Sequence, residues 1–156
     1  MDINEQLIVA ARTGDIKGIE EALTAGAEVD FRDNRGFTPL IIASYNNQPE
    51  AVEYLLNAKS DVNAQDFGGN TALMGVCFKG YPRIAELLIA HGADLNIRHD
   101  NGGTALMFAV LFGRDELVDI TLKHGADTTI RENRGLTAID LAVQQGNVAA
   151  VEMLER

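Results

Sequence analysis

The chain has 156 residues, 46% of them hydrophobic, enough to bury a core as one domain. Thirteen basic residues stand against 23 acidic ones, a net charge of -10, so the molecule as a whole is not expected to be drawn to nucleic acid or to an anionic membrane. Cys77 is the only cysteine, which excludes an internal disulfide and fits a reducing compartment; with no basic leader ahead of an apolar run and no apolar stretch near the roughly 20 residues of a membrane span, a cytosolic soluble protein is expected.

Four threonines return every 33 residues, at Thr38, Thr71, Thr104 and Thr137, each with a glycine two places before it (Gly36, Gly69, Gly102, Gly135). A fixed period of this size denotes a stacked repeat array. One period further back, Glu5 takes the threonine slot with Leu7, Ala10 and Gly14 in register. The whole of 1–156 is therefore one repeat domain, with units at about 1–32, 33–65, 66–98, 99–131 and 132–156. The first and last units are expected to act as caps. Glu5 replaces Thr in the first, Glu155 stands where the others have Leu56, Ile89 and Leu122, and terminal repeats need a wet outer face.

In chain order, each threonine is placed to cap a short helix through its hydroxyl, and Pro39 suits the first turn after Thr38. In the second unit Leu40, Ile41, Ala43 and Ser44 lie on one helical face, and Asn47 stands where that helix should end. Gly80, Gly113 and Gly146 hold the same slot further on, where a left-handed backbone is wanted. A second helix follows in each unit, with Val52, Leu55 and Leu56 inward, then Ile84, Leu87 and Leu88. Gly26, Gly92 and Gly125 end these helices, whereas Lys59 stands in that slot in the second unit. Gly75 sits inside the first helix of the third unit, where its counterparts are Ile42, Phe108 and Leu141. Local loosening is expected there, because a helical glycine costs about 1 kcal/mol and leaves packing space. The Asp, Asn and Gly residues between units read as extended, hairpin-like turns.

Gly36-Phe37-Thr38-Pro39-Leu40-Ile41-Ile42-Ala43 and Gly92-Ala93-Asp94-Leu95-Asn96 resemble the ankyrin repeat signature, and four in-phase copies extend that resemblance over the whole chain. The departures are Ala72, Ala105 and Ala138 in place of Pro, Lys59 in place of Gly, and Gly75. The resemblance implies an all-α repeat solenoid: L-shaped units of two antiparallel helices and a short β-hairpin turn, stacked in a curved, right-handed array. It also implies a binding face that is concave, made from the hairpin tips and the exposed side of the first helices.

Catalytic and metal chemistry find little support. No Gly-rich phosphate loop and no zinc-spaced Cys/His set occurs. His91 and His124 fall just before helix-ending glycines, where an imidazole can bond the last carbonyls. Asp66-Phe67-Gly68 matches a kinase tripeptide but lies at an inter-unit turn without the other kinase motifs. Asp61-x-Asn63 and Asp94-x-Asn96 begin like calcium loops but lack the third ligand and the glycine. Cys77 reads as a small packed residue with no histidine partner. No cofactor and no enzymatic activity are expected.

Carried over slot by slot, the implied face holds Arg35, Phe37, Phe67 and Arg134 at the tips. On the first helices it holds Tyr45, Phe78, Lys79, Leu111 and Phe112. Six places before each threonine stand Arg32, Gln65, Arg98 and Arg131. Five of the nine aromatics (six Phe and three Tyr) fall on this face. With Arg12 and Asp2 of the first unit it carries seven basic residues against Asp2 and Asp100, +5 on a chain of -10. Aromatic and Arg side chains are the types that anchor protein interfaces.

The candidate partner-binding residues are thus Arg32, Arg35, Phe37, Tyr45, Phe67, Phe78, Lys79, Arg98, Leu111, Phe112, Arg131 and Arg134. The expected function is a non-enzymatic, monomeric protein-interaction module whose concave face takes a segment with apolar and acidic character, Arg32, Arg98 and Arg131 bonding its carboxylates. On that reading, reversing Arg98 and Arg131 to Glu should leave folding intact and abolish the partner. A bland reading stands beside it, in which turn arginines pair with turn acids and the aromatics pack between units. An alternative function is a regulatory inhibitor or accessory subunit that clamps one enzyme.

Overall fold

Ten helices and the turns between them account for all 156 residues of the computed structural model. They come in five consecutive pairs: α1 (Ile3–Thr13) with α2 (Ile16–Thr24), α3 (Pro39–Tyr45) with α4 (Pro49–Asn57), α5 (Ala72–Lys79) with α6 (Pro82–Ala90), α7 (Ala105–Leu111) with α8 (Asp115–Lys123), and α9 (Ala138–Gln145) with α10 (Val148–Leu154). Each first helix packs on the first helix of the next unit, and each second helix on the next second helix. The result is a stack in which every unit meets only its neighbours.

Local chemistry starts and stops these helices where the 33-residue ruler places them. The hydroxyls of Thr38, Thr71, Thr104 and Thr137 accept from the backbone N–H three residues on, at 3.2, 3.2, 3.5 and 3.4 Å. Asp140 reciprocates in the last unit, its carboxylate accepting from the Thr137 N–H at 3.0 Å. That bond and the Thr137 hydroxyl hold the Asp140 carboxyl below the ordinary carboxylate value. At the helix ends, Gly14, Gly80 and Gly146 take left-handed φ values of 73°, 84° and 65°. Asn47 adopts the same region at φ 56°, and Lys59 does so at φ 73°.

The core runs without a break from Leu7 to Ala150, one leucine-rich layer per interface between units. Ser44, Cys77 and Val110 share one slot and are buried there. Val143 holds that slot in the last unit and is 63% exposed, because no further pair of helices packs on it. The outer side of the last unit is therefore less polar than a cap carrying Glu155 suggests.

The connections contain no β-strand. Each tip is a tight turn with one hairpin rung: the Gly36 N–H donates to the Asp33 carbonyl at 3.0 Å, and the Asp33 N–H to the Phe37 carbonyl at 3.1 Å. The Asp33 carboxylate takes the N–H groups of Arg35 and Phe37 at 2.9 Å each. With these backbone donors bound to a side chain, the ladder cannot lengthen into strands. Neighbouring tips join instead, through Phe67 N–H to Arg35 C=O at 3.2 Å, Asp100 N–H to Gly68 C=O at 3.0 Å and Asn133 N–H to Asn101 C=O at 3.0 Å.

Candidate functional site

The slot six places before each threonine forms a side-chain ladder. Each member bonds the carbonyl of the glycine four residues on: Arg32 to Gly36 at 3.2 Å, Gln65 to Gly69 at 2.7 Å, Arg98 to Gly102 at 3.0 Å and Arg131 to Gly135 at 2.7 Å. Three of the four also reach the carbonyl of their own counterpart in the next unit. Arg32 donates to Gln65, Gln65 to Arg98 at 3.3 Å, and Arg98 to Arg131 at 2.9 Å. The Arg32 and Arg98 guanidiniums and the Gln65 amide thus join neighbouring units, which charge counting along the sequence does not reveal. Reversing Arg98 removes an inter-unit bond, so the Arg98, Arg131 double reversal is expected to cost stability as well as the charge of the face.

The other charged candidates divide. Arg134 follows the bland reading, its Nε paired with the Glu132 carboxylate at 2.8 Å, and this partner keeps the Glu132 carboxyl below its ordinary value. Arg35 and Arg12 are exposed, and neither guanidinium has a hydrogen bond or ion pair within the chain. Lys79 stands with Nζ 5.0 Å from the centre of the Tyr45 ring, a cation–π contact between adjacent units.

The aromatics form a row across units two to four. Tyr45 meets Phe78 edge-on at 6.1 Å, and Phe78 stacks on Phe112 with ring centres 4.5 Å apart and planes 4° from parallel. Phe108 continues the stack at 6.4 Å from Phe112. Such pairs contribute about 0.5–1.5 kcal/mol beyond burial, yet Tyr45 and Phe112 remain 42% and 47% exposed. Phe67 is apart from the row. It lies over the neighbouring tip, 2.8 Å from where a Cβ on Gly36 would stand, and is 67% exposed. That close approach, with φ 80° at Gly36, is why only glycine suits the position.

Two hollows open on this side. One, of about 490 Å³, lies between the second and third units and is lined by Arg12, Arg35, Phe37, Tyr45, Gly75 and Phe78, among others. The second, of about 420 Å³, is bounded by His99, Leu111, Phe112 and Arg134. Phe108 borders both. The geometry thus brings together Arg35, Phe37, Tyr45, Phe78, Leu111, Phe112 and Arg134 as walls of two adjoining hollows, with Lys79 beside Tyr45. Arg32, Arg98 and Arg131 lie in the ladder.

Arg12, Phe108 and His99 belong to these walls and are absent from the candidate set above. Phe108 has the same slot as Ile42 and Gly75, so its register announces a helix interior and not a surface. His99 occupies the turn-acid slot of Asp33, Asp66 and Glu132 and replaces the carboxylate there, its Nδ1 accepting the Asn101 N–H at 3.2 Å. The ring packs on Phe108 at 5.0 Å, and its burial outweighs the charges of Asp100 and Asp66, so its pKa is lowered from 6.5.

The remaining titratable candidates are structural. His91 Nδ1 lies 2.9 Å from the Leu87 carbonyl, the helix-end contact foreseen for it. His124 instead faces the Glu86 carboxylate of the preceding unit at 3.2 Å. Cys77 is wholly buried, which pushes its thiol up to about 12 and leaves no thiolate for chemistry. Asp61 accepts the Asn63 N–H at 3.0 Å and the Asn63 amide oxygen accepts the Asp94 N–H at 2.8 Å, so the residues that resemble calcium-loop starts knit the turns.

Stacked helix pairs capped by threonine, joined by bonded tips and presenting an aromatic row, define a helical repeat protein. The family model described as ankyrin repeats (3 copies) matches residues 7–99 and again 73–155, and the chain belongs to the ankyrin repeat family. Ankyrin repeats generally mediate protein–protein interactions and are typically not enzymes. No curated protein matches the chain.

Proposed function

We propose that this protein is an interaction module that grips another protein through the concave face formed by its turn tips and first helices. The observation that carries the reading is the row Tyr45, Phe78 and Phe112, half exposed at both ends and stacked across three units. A row that is stiffened by stacking loses little side-chain freedom when a partner covers it, which favours association. Arg12 and Arg35 put positive charge without internal partners next to that row, on a chain whose net charge is -10. The partner segment is therefore apolar with flanking carboxylates, and not nucleic acid or a membrane surface. A monomer in the cytosol fits this use of the face.

The test is affinity capture from the native cell lysate with the wild-type chain and with Phe112→Lys. Phe112 lies outside the core cluster, so the substitution should cost only its ring stacking, about 0.5–1.5 kcal/mol per pair, and leave the fold intact while a specific partner is lost. A captured set identical for both proteins would remove the face from consideration.

A further inference from the structure

The slot four places after the threonine carries a side chain in three of the four units that share it, and Ile42 and Leu141 are buried there. At Gly75 the side chain is missing, but α5 continues through Ala72–Lys79 without a break. The space has not been refilled by the core. A Cβ built on Gly75 meets a single residue within 4 Å, Tyr45, whose Cδ1 and Cε1 lie 3.3 and 4.0 Å away. The volume that an Ile or Leu would fill is instead part of the hollow of about 490 Å³, whose walls include Phe37, Ile41, Ile42, Met74 and Phe78.

The rim has a matching electrostatic character. Arg12 and Arg35 line the hollow with guanidiniums that bond nothing in the chain. The one acid on the rim, Asp66, is committed to its own turn. Its carboxylate accepts the Gly68 and Asn70 N–H groups at 2.9 Å each and the Asn70 amide at 3.3 Å. An apolar floor beneath two unpaired cations suits an apolar group that carries a carboxylate beside it.

We infer that the niche at Gly75 is a specificity pocket that takes one aliphatic or aromatic side chain of a partner protein segment, with Arg12 and Arg35 receiving a carboxylate next to that side chain. The inference rests on the binding reading above and names the anchor that reading leaves open. Continuity favours a polypeptide over an isolated small molecule: Phe78 is at once a wall of the pocket and the centre of the exposed row, so a chain anchored at Gly75 runs directly onto Phe112. Tyr45, which lines the hollow, is itself held by Lys79 at 5.0 Å from its ring centre.

The probe is a panel of immobilised twelve-residue peptides with a central Leu or Phe next to Asp or Glu. Two matched sets replace either the central residue by Gly or the acids by Lys. The full chain is expected to hold the first set over both matched sets. Gly75→Leu should weaken binding roughly tenfold to hundredfold, the factor that burying one such side chain is worth. Gly75→Ala should retain most of it, and both variants should keep the helical signal of the parent. The pair Arg12→Glu with Arg35→Glu, at exposed and unbonded positions, should reverse the preference for acids, and it decides the matter should Gly75→Leu misfold.

Full binding by folded Gly75→Leu, or no change on reversing the two arginines, overturns the pocket. If Phe112→Lys then still abolishes binding, the wider face survives. If Phe112→Lys also binds as the parent does, the face falls with the pocket. A wild-type chain that holds none of the three sets overturns the pocket alone, because the lysate capture judges the face independently.

Discussion

Arg98 bonds the carbonyl of Arg131 through Nη2 at 2.9 Å, and the two residues hold the same slot in successive units, 33 residues apart. Arg98 therefore couples two turns, whereas Arg131 bonds only Gly135 in its own. Replacing Arg98 by Ala should lower the free energy of unfolding by about 1–2 kcal/mol, the range for a charged donor lost from a partly wet site. Arg131→Ala should cost about half as much or less. Urea unfolding of both variants provides the comparison, and equal losses would mean that the inter-unit bond contributes nothing.

Ser44 presents a buried hydroxyl, and its Oγ has no hydrogen-bond partner. Its counterparts Cys77 and Val110 show that the slot favours an apolar group. A buried, unsatisfied polar atom costs about 1–3 kcal/mol, so Ser44→Ala should stabilise the chain by about 1 kcal/mol after the small loss of packing. Calorimetry should show a higher Tm; a lower one would mean that the hydroxyl is satisfied in solution.

Lys59 takes φ 73° where Gly26, Gly92 and Gly125 take 101°, 92° and 89°. A left-handed conformation costs a side-chain-bearing residue roughly 1–2 kcal/mol, and glycine's freer unfolded chain offsets about half of what is relieved. Lys59→Gly should therefore raise stability by about 0.5–1 kcal/mol, with Lys59→Ala showing no such gain. Thermal melts of the two variants side by side distinguish relief at the backbone from loss of a charge.

His99 makes stability depend on pH. Its Nδ1 accepts the Asn101 N–H, a role only the neutral ring can fill, and burial against Phe108 further opposes protonation. The folded ring thus releases its proton more readily than the unfolded one. The stability it contributes is complete above the unfolded value of about 6.5, declines as pH falls below it, and stops declining once the lowered folded value is passed. His99→Asp puts back the acid found in the equivalent turns and should remove this slope. Urea midpoints measured from pH 7.5 down to pH 5 report it, and an unchanged slope in His99→Asp would assign it to other groups.

The array was legible from one periodic residue because the interactions that define it are local. A threonine hydroxyl caps the N–H three places on, and the residue ending a helix is chosen by its own φ, so both can be read from neighbouring letters. Phe108 escaped that reading because its slot in other units is held by Ile42, Gly75 and Leu141, three residues with no surface role in common. The arginines were legible as tip residues, but not as ladder members, because their acceptors are backbone carbonyls and every residue has one.

The sequence alone determined the period, the threonine caps and the helix ends, since these follow from short-range geometry repeated every 33 residues. Only the tertiary structure decided which cations remain unbonded and where the room left by Gly75 goes. Both depend on side chains from adjacent units meeting across the stack: the Arg98 guanidinium on the Arg131 carbonyl, and the Tyr45 ring beside an absent Cβ.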